Sequence, residues 1–518
     1  MLFPRVKSYT EKDGFIKFNK EIFICFADDT AESLINAASL LIQYHIKPSN
    51  VSNADIILKS DKSISNNNSY FEIDCIDNKI IATFTNRESG RDALSVIGEL
   101  ISNGTFKKAK ITDWPDLKLR SFMQDVGRKY VHVNEMKSQI LLMAKMRMNV
   151  LHFHFTEHTG FGIALKDFPK LKGAPITGGK QYTEEEITEI VKFADDLCID
   201  VIPEVDLPAH ANAITNEFPE LLCKTVDGNL PNGWALCVGN DETYIFLEKL
   251  LTSVTKLFKS EYFHLGTDEI SMRDCDRIPK PVADWQNCSI CSLMGLGETE
   301  LFYYFVRRSY EILKKLGKKM IIWNDQIDIS KSPDIPHDII IEFWRVAGPH
   351  RGPIDGCSMQ RFLEEGFDVI NANYPDTYID LYVEYERLKN WNPCKFPADD
   401  KNTKGKIIGA DFCAWDVFNH FVHSVPVSTL FFAEKFRNID ANDYDNLLET
   451  ASKRLLGIKD FNIFEYTNKV IDLDENIDIF KADANLLDIK NILTDYSPKD
   501  ISEEYIKNVY LDLINKKL

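Results

Sequence analysis

The pair Asp268-Glu269, closing the run YFHLGTDEI, is the feature of this sequence best suited to chemistry. Adjacent carboxylates repel each other, which raises the pKa of one so that it stays protonated and can donate to a leaving oxygen. Cleaving a glycosidic bond needs that donor. An Asp-Glu dipeptide taken alone more often caps a helix or faces solvent. Its surroundings reverse that weighting, because other apolar runs also end in polar residues. They give Gln124-Asp125 and Arg128; His152, His154 and Glu157-His158; Glu204, Asp206 and His210; His264; Trp323-Asn324-Asp325; Trp344-Arg345; Tyr378 and Asp380; and Trp415-Asp416. Rings that stack on pyranose faces, charged groups that bind hydroxyls and a carboxyl pair that moves protons describe a sugar site.

Two other groups suggest metals. His152 and His154 form a His-x-His at a strand end, which also suits a metal-dependent amidohydrolase and makes that the rival enzyme class. Later strands add no suitably placed lysine and no isolated histidine beyond His210 and His264. His152 and His154 are therefore expected as hydrogen-bonded supports beneath the sugar, with no catalytic metal and no cofactor. Cys288-Ser-Ile-Cys291 has the CxxC spacing of a zinc knuckle, and Cys275 lies in the same insertion. Three cysteines fall short of the usual four ligands, so a structural zinc at Cys275, Cys288 and Cys291 competes with ordinary thiols.

The elements that must position these residues read as buried strands alternating with amphipathic helices, the pattern of a parallel sheet wound by βα units. Candidate strands cover 118–124, 149–155, 200–206, 262–268, 319–324, 338–343, 368–373 and 406–414, the count of a closed (β/α)8 TIM barrel. In such a barrel the active site forms at the strands' C-terminal ends, where the polar residues fall. Val133, Met136, Ile140 and Met143 share one helical face, and Ile187, Ile190, Ala194 and Leu197 share another, with Thr183 and Glu186 as a capping box. Before the barrel, strand-like runs at 22–26, 55–58, 70–73 and 79–85 and helical periodicity at 31–44 and 91–101 predict a small α+β accessory domain. The expected division is 1–115 for that domain, 116–425 for the barrel and 426–518 for a helical C-terminal region. No internal repeat is visible.

With 518 residues the chain has room for two or three domains, and its formal charge of -18 disfavours nucleic acid and anionic membranes as partners. No stretch approaches the roughly 20 apolar residues of a membrane helix. No apolar core follows a basic start at the N-terminus, and the 11 cysteines are scattered like reduced thiols. The expected location is the cytoplasm, where a small oligosaccharide or glycoconjugate would be the partner; oligomeric state is not readable.

LRSFMQDVGRKYV, NVLHFHFTEHTGFGI, VIPEVDLPAH, YFHLGTDE, IIWND and the late Trp415 together resemble, in order, the motif series of the family 20 β-N-acetylhexosaminidases. ESGRDALSVIGELI resembles the last helix of that family's accessory domain. The resemblance implies an exo-acting retaining hydrolase of terminal β-linked N-acetylhexosamines without an enzyme nucleophile. The substrate's acetamido oxygen attacks the anomeric carbon while Glu269 serves as acid and then base. Asp268 would steer the acetamido nitrogen and Tyr378 its oxygen. Trp323, Trp344 and Trp415 would line the acetamido pocket and the floor under the ring, with Arg128 and Glu157 at the ring hydroxyls. His210 and Asp206, with His154 and His264, would support the acid/base pair.

The sequence departs from the family pattern at several points. Gly266-Thr267 replaces Gly-Gly before the acid pair, a change in crowding that adjusts the backbone. Glu157-His158 replaces Asp-Asp, and Pro208-Ala209-His210 replaces Pro-Gly-His. Val417 stands where the family has a glutamate for distal hydroxyls, leaving Asp416 or Asp380 to take over that contact and leaving the gluco or galacto preference open. A non-catalytic sugar-binding protein is the reading outside enzymology; it predicts loss of Asp268 or Glu269, and both stand.

Overall fold

In a computed structural model, the structure describes residues 2–67, 69–225, 233–270, 285–324, 327–329, 334–344, 357–374, 376–379, 390–395, 403–415, 420–441, 486–495 and 511. The N-terminal sheet comprises β1 (Ser8–Lys17), β2 (Glu21–Phe26), β3 (His45–Pro48), β4 (Ile56–Ser60), β5 (Phe71–Ile76), β6 (Lys79–Phe84) and β7 (Thr105–Asp113), in spatial order β1-β7-β5-β6-β4-β2-β3. Helices α1 (Asp29–Glu32), α2 (Ile35–Leu41) and α3 (Arg87–Leu100) accompany it. β1, β3 and β7 lie outside the expected strands. The single helix expected at 31–44 is two pieces, interrupted at Ser33 and Leu34.

All eight expected barrel strands are present. They are β8 (Leu119–Asp125), β9 (Val150–His154), β12 (Asp200–Glu204), β13 (Tyr262–His264), β14 (Lys319–Trp323), β15 (Ile340–Phe343), β16 (Val369–Asn371) and β17 (Ile407–Ala414), every pair parallel, closing where β17 meets β8. A two-stranded ribbon, β10 (Ile163–Ala164) with β11 (Tyr182–Thr183), interrupts the series. Parallel strands buried on both faces carry near-continuous apolar runs, as in β14, where Met320-Ile321-Ile322-Trp323 are all buried. Leu119, Val150, Ile202, Tyr262, Ile321, Ile340 and Ile370, one from each of seven strands, pack with Ile408 of the eighth as an apolar floor. Polar side chains occupy the barrel above it.

Helices α4 (Val133–Lys145), α5 (Glu184–Asp196), α6 (Asn212–Thr215), α7 (Asp241–Thr255), α8 (Glu298–Lys315) and α9 (Met359–Glu365) follow in the barrel, then α10 (His420–Arg437). Thr183 Oγ1 accepts the Glu186 N–H at 3.1 Å while Glu186 Oε2 accepts the Thr183 N–H at 2.8 Å, which is the expected capping box. α10 runs across the boundary expected between 425 and 426. Its last residue, Arg437, donates to Asp113 at 2.7 Å and Asp92 at 2.8 Å, all three side chains being fully buried. Arg147 donates to the same Asp113 oxygen at 2.5 Å, and Arg91 of α3 donates to the carbonyls of Ala144 and Met148. These bonds lock the N-terminal sheet to the barrel's base, opposite the polar strand ends. No helix among the described residues is long and apolar enough to cross a membrane.

Candidate active site

The fourth barrel strand ends at His264, short of the 262–268 expected from sequence, because the backbone turns left-handed at Gly266 (φ 73°), Thr267 (φ 83°) and Glu269 (φ 53°). Ladder-like bonds persist to the turn: Leu265 N–H donates to Ile321 O at 2.9 Å, and Trp323 N–H to Gly266 O at 2.9 Å. The turn lifts Asp268 and Glu269 off the strand and onto the barrel rim. His210, itself at φ 51°, faces both: its Nε2 lies 3.6 Å from Asp268 Oδ2 and 3.4 Å from Glu269 Oε2.

His210 Nδ1 is 2.8 Å from Glu157 Oε2. Burial alone would favour the neutral ring, but Glu157, Asp206 and Asp268 outweigh it and hold the His210 pKa well above its ordinary value. Burial and the neighbouring Asp268 charge push the Asp206 carboxyl well above the usual carboxylate range. Burial works against ionised Glu157 too, yet Arg128 and His210 hold its pKa well below the usual range. Glu157 was expected at the substrate's hydroxyls. Its side chain is 1% exposed and engaged by Arg128, His210 and His158. Arg128 is anchored on its other side by Asp125 at 2.8 Å, and its guanidinium carbon lies 5.5 Å from the Trp415 ring centroid.

Trp323, Trp344, Tyr378 and Trp415 form one aromatic cluster with Met123, Ala372, Cys413 and Tyr374. Trp344 and Tyr378 stack at 6.1 Å between centroids, and Tyr378 and Trp415 stand 6.0 Å apart. Tyr378 is held beside the end of β17 by hydrogen bonds on either side of it, Cys413 N–H to Thr377 O at 2.8 Å and Ile379 N–H to Cys413 O at 2.9 Å. Beneath this cup, Glu204 accepts the Trp323 indole N–H at 2.8 Å and meets His152 at 3.0 Å, His264 at 3.1 Å and His154 more closely still. Burial opposes ionised Glu204, but the three imidazoles hold its pKa well below normal. His154 and His264 thus lie with Glu204 beneath the rings. Asp325, Arg345, Asp380, Asp416 and Val417 lie outside the described residues.

Three groups escaped the sequence reading. Glu342 and Asp411 stand inside apolar strands and face His152, with Asp411 Oδ2 3.0 Å from its Nδ1. A lone charge at an inward-facing strand position was the available signal. Trp234 comes from a loop with no strand-end signature; its ring lies 4.4 Å from that of His210 and its indole N–H donates to the Glu269 carbonyl at 3.2 Å.

Ligand-type atoms lie within 4.8 Å of one another in His152/Glu204/His264, in Glu157/His158/His210 and in Asp206/His210/Asp268. These sets pair imidazole with carboxylate, and the raised pKa values of His152 and His210 let the imidazolium itself supply the positive charge. Cys223, Cys237, Cys288 and Cys291 make a further set of a different kind.

A closed (β/α)8 barrel with a carboxylate pair at its rim beside an aromatic cup is the architecture of a glycoside hydrolase. Residues 118–420 match the catalytic-domain model of glycosyl hydrolase family 20, and the chain belongs to that family. It is 32% identical over 253 residues to a β-hexosaminidase of Porphyromonas gingivalis, covering 45% of this chain and 31% of that protein. It is 28% identical to β-hexosaminidase subunit A1 of Dictyostelium discoideum, covering 62% of this chain and 59% of that one. This chain thus spans less than two thirds of either relative. The crystal structure of β-N-acetylhexosaminidase from Bacteroides fragilis superposes with a TM-score of 0.75 at 25% identity, covering 88% of this chain and 95% of that one. Family membership replaces the amidohydrolase reading of His152 and His154.

Proposed function

We propose that this protein is an exo-acting, retaining β-N-acetylhexosaminidase that removes terminal β-linked GlcNAc or GalNAc by substrate-assisted catalysis. The observation that carries the reading is the placement of Asp268 and Glu269 together on the barrel rim, both facing the His210 imidazole. In this account Glu269 protonates the leaving oxygen while the substrate's acetamido oxygen attacks the anomeric carbon; water then opens the oxazolinium with Glu269 as base. Asp268 orients the acetamido N–H and stabilises the charge that develops on it, and Tyr378 donates to the acetamido oxygen. Trp323, Trp344 and Trp415 enclose the acetamido methyl and the sugar ring. Arg128 binds ring hydroxyls, and Asp380 or Asp416 takes the distal ones. His210, charged and braced by Glu157, holds the two carboxylates at working separation.

The substrate is a small oligosaccharide or glycoconjugate, and the compartment the cytoplasm; the ten described cysteines, none of them disulfide-bonded, are consistent with a reducing environment. A thiazoline mimic of the oxazolinium tests the mechanism. It should inhibit far more tightly than N-acetylglucosamine, because it resembles what the site stabilises during the reaction. Equal affinity for the two would count against an acetamido nucleophile.

A further inference from the structure

Four cysteines with no part in that chemistry converge beside it. Cys223 and Cys237 come from the chain after β12, and Cys288 and Cys291 from the insertion after β13. All four are buried, and their sulfurs lie within 4.8 Å of one another. Cys237 Sγ is 3.6 Å from both Cys288 Sγ and Cys291 Sγ. Disulfide sulfurs stand about 2.05 Å apart, so these are not bridges. A tetrahedron of thiolates with metal–sulfur bonds of about 2.3 Å has edges of about 3.8 Å, close to the spacing seen.

We propose that Cys223, Cys237, Cys288 and Cys291 hold one zinc ion as a closed structural tetrathiolate. Binding exchanges four S–H protons for four metal–sulfur bonds, with no change of oxidation state. The surroundings suit it. The Cys288-Ser-Ile-Cys291 turn is fixed by the Ser292 N–H on Cys288 O at 2.9 Å, which keeps both thiols on one side. Ser289 N–H donates to Lys224 O at 2.7 Å, joining the two cysteine pairs through the backbone. A Cβ on Gly239 would lie 3.0 Å from both the Cα and the Sγ of Cys291, so a residue without a side chain lets the backbone close over that sulfur.

The cluster is coupled to the carboxylate site through the segment that ends in Cys237. Leu236 N–H donates to Pro208 O at 2.9 Å, Ala211 N–H to Trp234 O at 3.0 Å, and the Trp285 indole N–H to Leu236 O at 2.9 Å. The metal therefore pins the segment that presses Trp234 on His210 and on the Glu269 carbonyl. Cys275, the third cysteine expected beside Cys288 and Cys291, lies outside the described residues. Cys223 and Cys237 complete the set, separated from Cys288 in sequence by fifty residues or more.

The test is metal analysis of the full chain purified under reducing conditions without chelator, followed by replacement with Co(II). The expected result is close to one equivalent of zinc, released by a mercurial thiol reagent with a fall in Tm, and a Co(II) form showing thiolate-to-cobalt charge transfer and tetrahedral ligand-field bands. Cys237→Ser and Cys291→Ser should lose the metal, whereas Cys75→Ser, in the N-terminal sheet, should keep it. If the serine variants do not fold, the cobalt spectrum of the unmodified chain decides. A chain that takes up neither Zn(II) nor Co(II) while its thiols are reduced, or binds Co(II) without a thiolate band, overturns the proposal. Neither outcome bears on the hydrolase reading.

Discussion

Gly266 lies so close to Asp206 that a Cβ built on the glycine would fall 2.0 Å from the aspartate's Oδ1. The same oxygen accepts the Thr267 N–H at 3.2 Å, so the contact fixes the turn that carries Asp268 and Glu269. Gly266→Ala should force Asp206 and the turn apart. We expect kcat to fall at least about 100-fold in a protein that still folds, since displacement of reacting groups by about 1 Å costs that much. Unchanged kcat would mean that the turn is free to relax.

Thr267 departs from the glycine usual in its family, and it sits at φ 83° with a buried hydroxyl that finds no hydrogen-bond partner among the described residues. Left-handed backbone in a β-branched residue and an unpaired buried hydroxyl each cost on the order of 1–3 kcal/mol. The added freedom of glycine in the unfolded chain takes back about 0.5–1 kcal/mol. Thr267→Gly should therefore stabilise the protein by at least about 1 kcal/mol in urea titration. A loss of stability would contradict the strain.

Arg437, at the end of α10, joins the barrel region to the N-terminal domain through Asp92 of α3 and Asp113 of β7. Removing one partner of a buried charge cluster leaves the others uncompensated, at a cost of about 3–5 kcal/mol. Arg437→Met should show that loss by chemical denaturation, with the N-terminal sheet melting separately from the barrel. A change below about 1 kcal/mol, the range of exposed pairs, would show that the domains are held together by apolar packing instead.

The imidazoles under the aromatic cup make stability depend on pH. Burial disfavours the His154 cation, but Glu204 and Glu157 outweigh it and raise its pKa to about 9. An unfolded histidine titrates near about 6.5, so this contribution is complete below that pH and lost as pH rises to about 9. His264 runs the other way. Burial, helped by His152 and His154, lowers its pKa to about 4, and its contribution is lost as pH falls from about 6.5 to about 4. Tm should decline on both sides of near-neutral pH, and His154→Asn should flatten the alkaline limb. An unaltered alkaline limb in that variant would place the titration elsewhere.

The barrel was legible because strands buried on both faces keep apolar runs, as in β14 and β15, and because their polar ends lie on one rim. β1 and β7 were not, since a pair such as SYTEKDGFIK and TFKKAKITD is charged and partly exposed and reads as loop until the partner strand is known. Asp268 and Glu269 stood out by type, but the turn that presents them depends on the contact between Gly266 and Asp206, about sixty residues apart. Trp234, Glu342 and Asp411 escaped for the same reason: their roles come from neighbours that only the closed barrel brings near.

General acid catalysis by a side chain contributes about 10²- to 10⁴-fold, and nitrophenolate leaves without needing a proton. Glu269→Gln should therefore slow cleavage of chitobiose by about that factor and of an aryl glycoside by less. Equal losses on both substrates would assign Glu269 a role other than proton donor.

The most direct test of the central claim compares p-nitrophenyl β-N-acetylglucosaminide with p-nitrophenyl β-glucoside, which carries a hydroxyl where the acetamido group should act. The account predicts rapid release from the first, release from the galacto epimer at a rate that reports the distal contacts, and negligible release from the glucoside. Comparable cleavage of the glucoside, or no cleavage of either acetamido sugar, would contradict it.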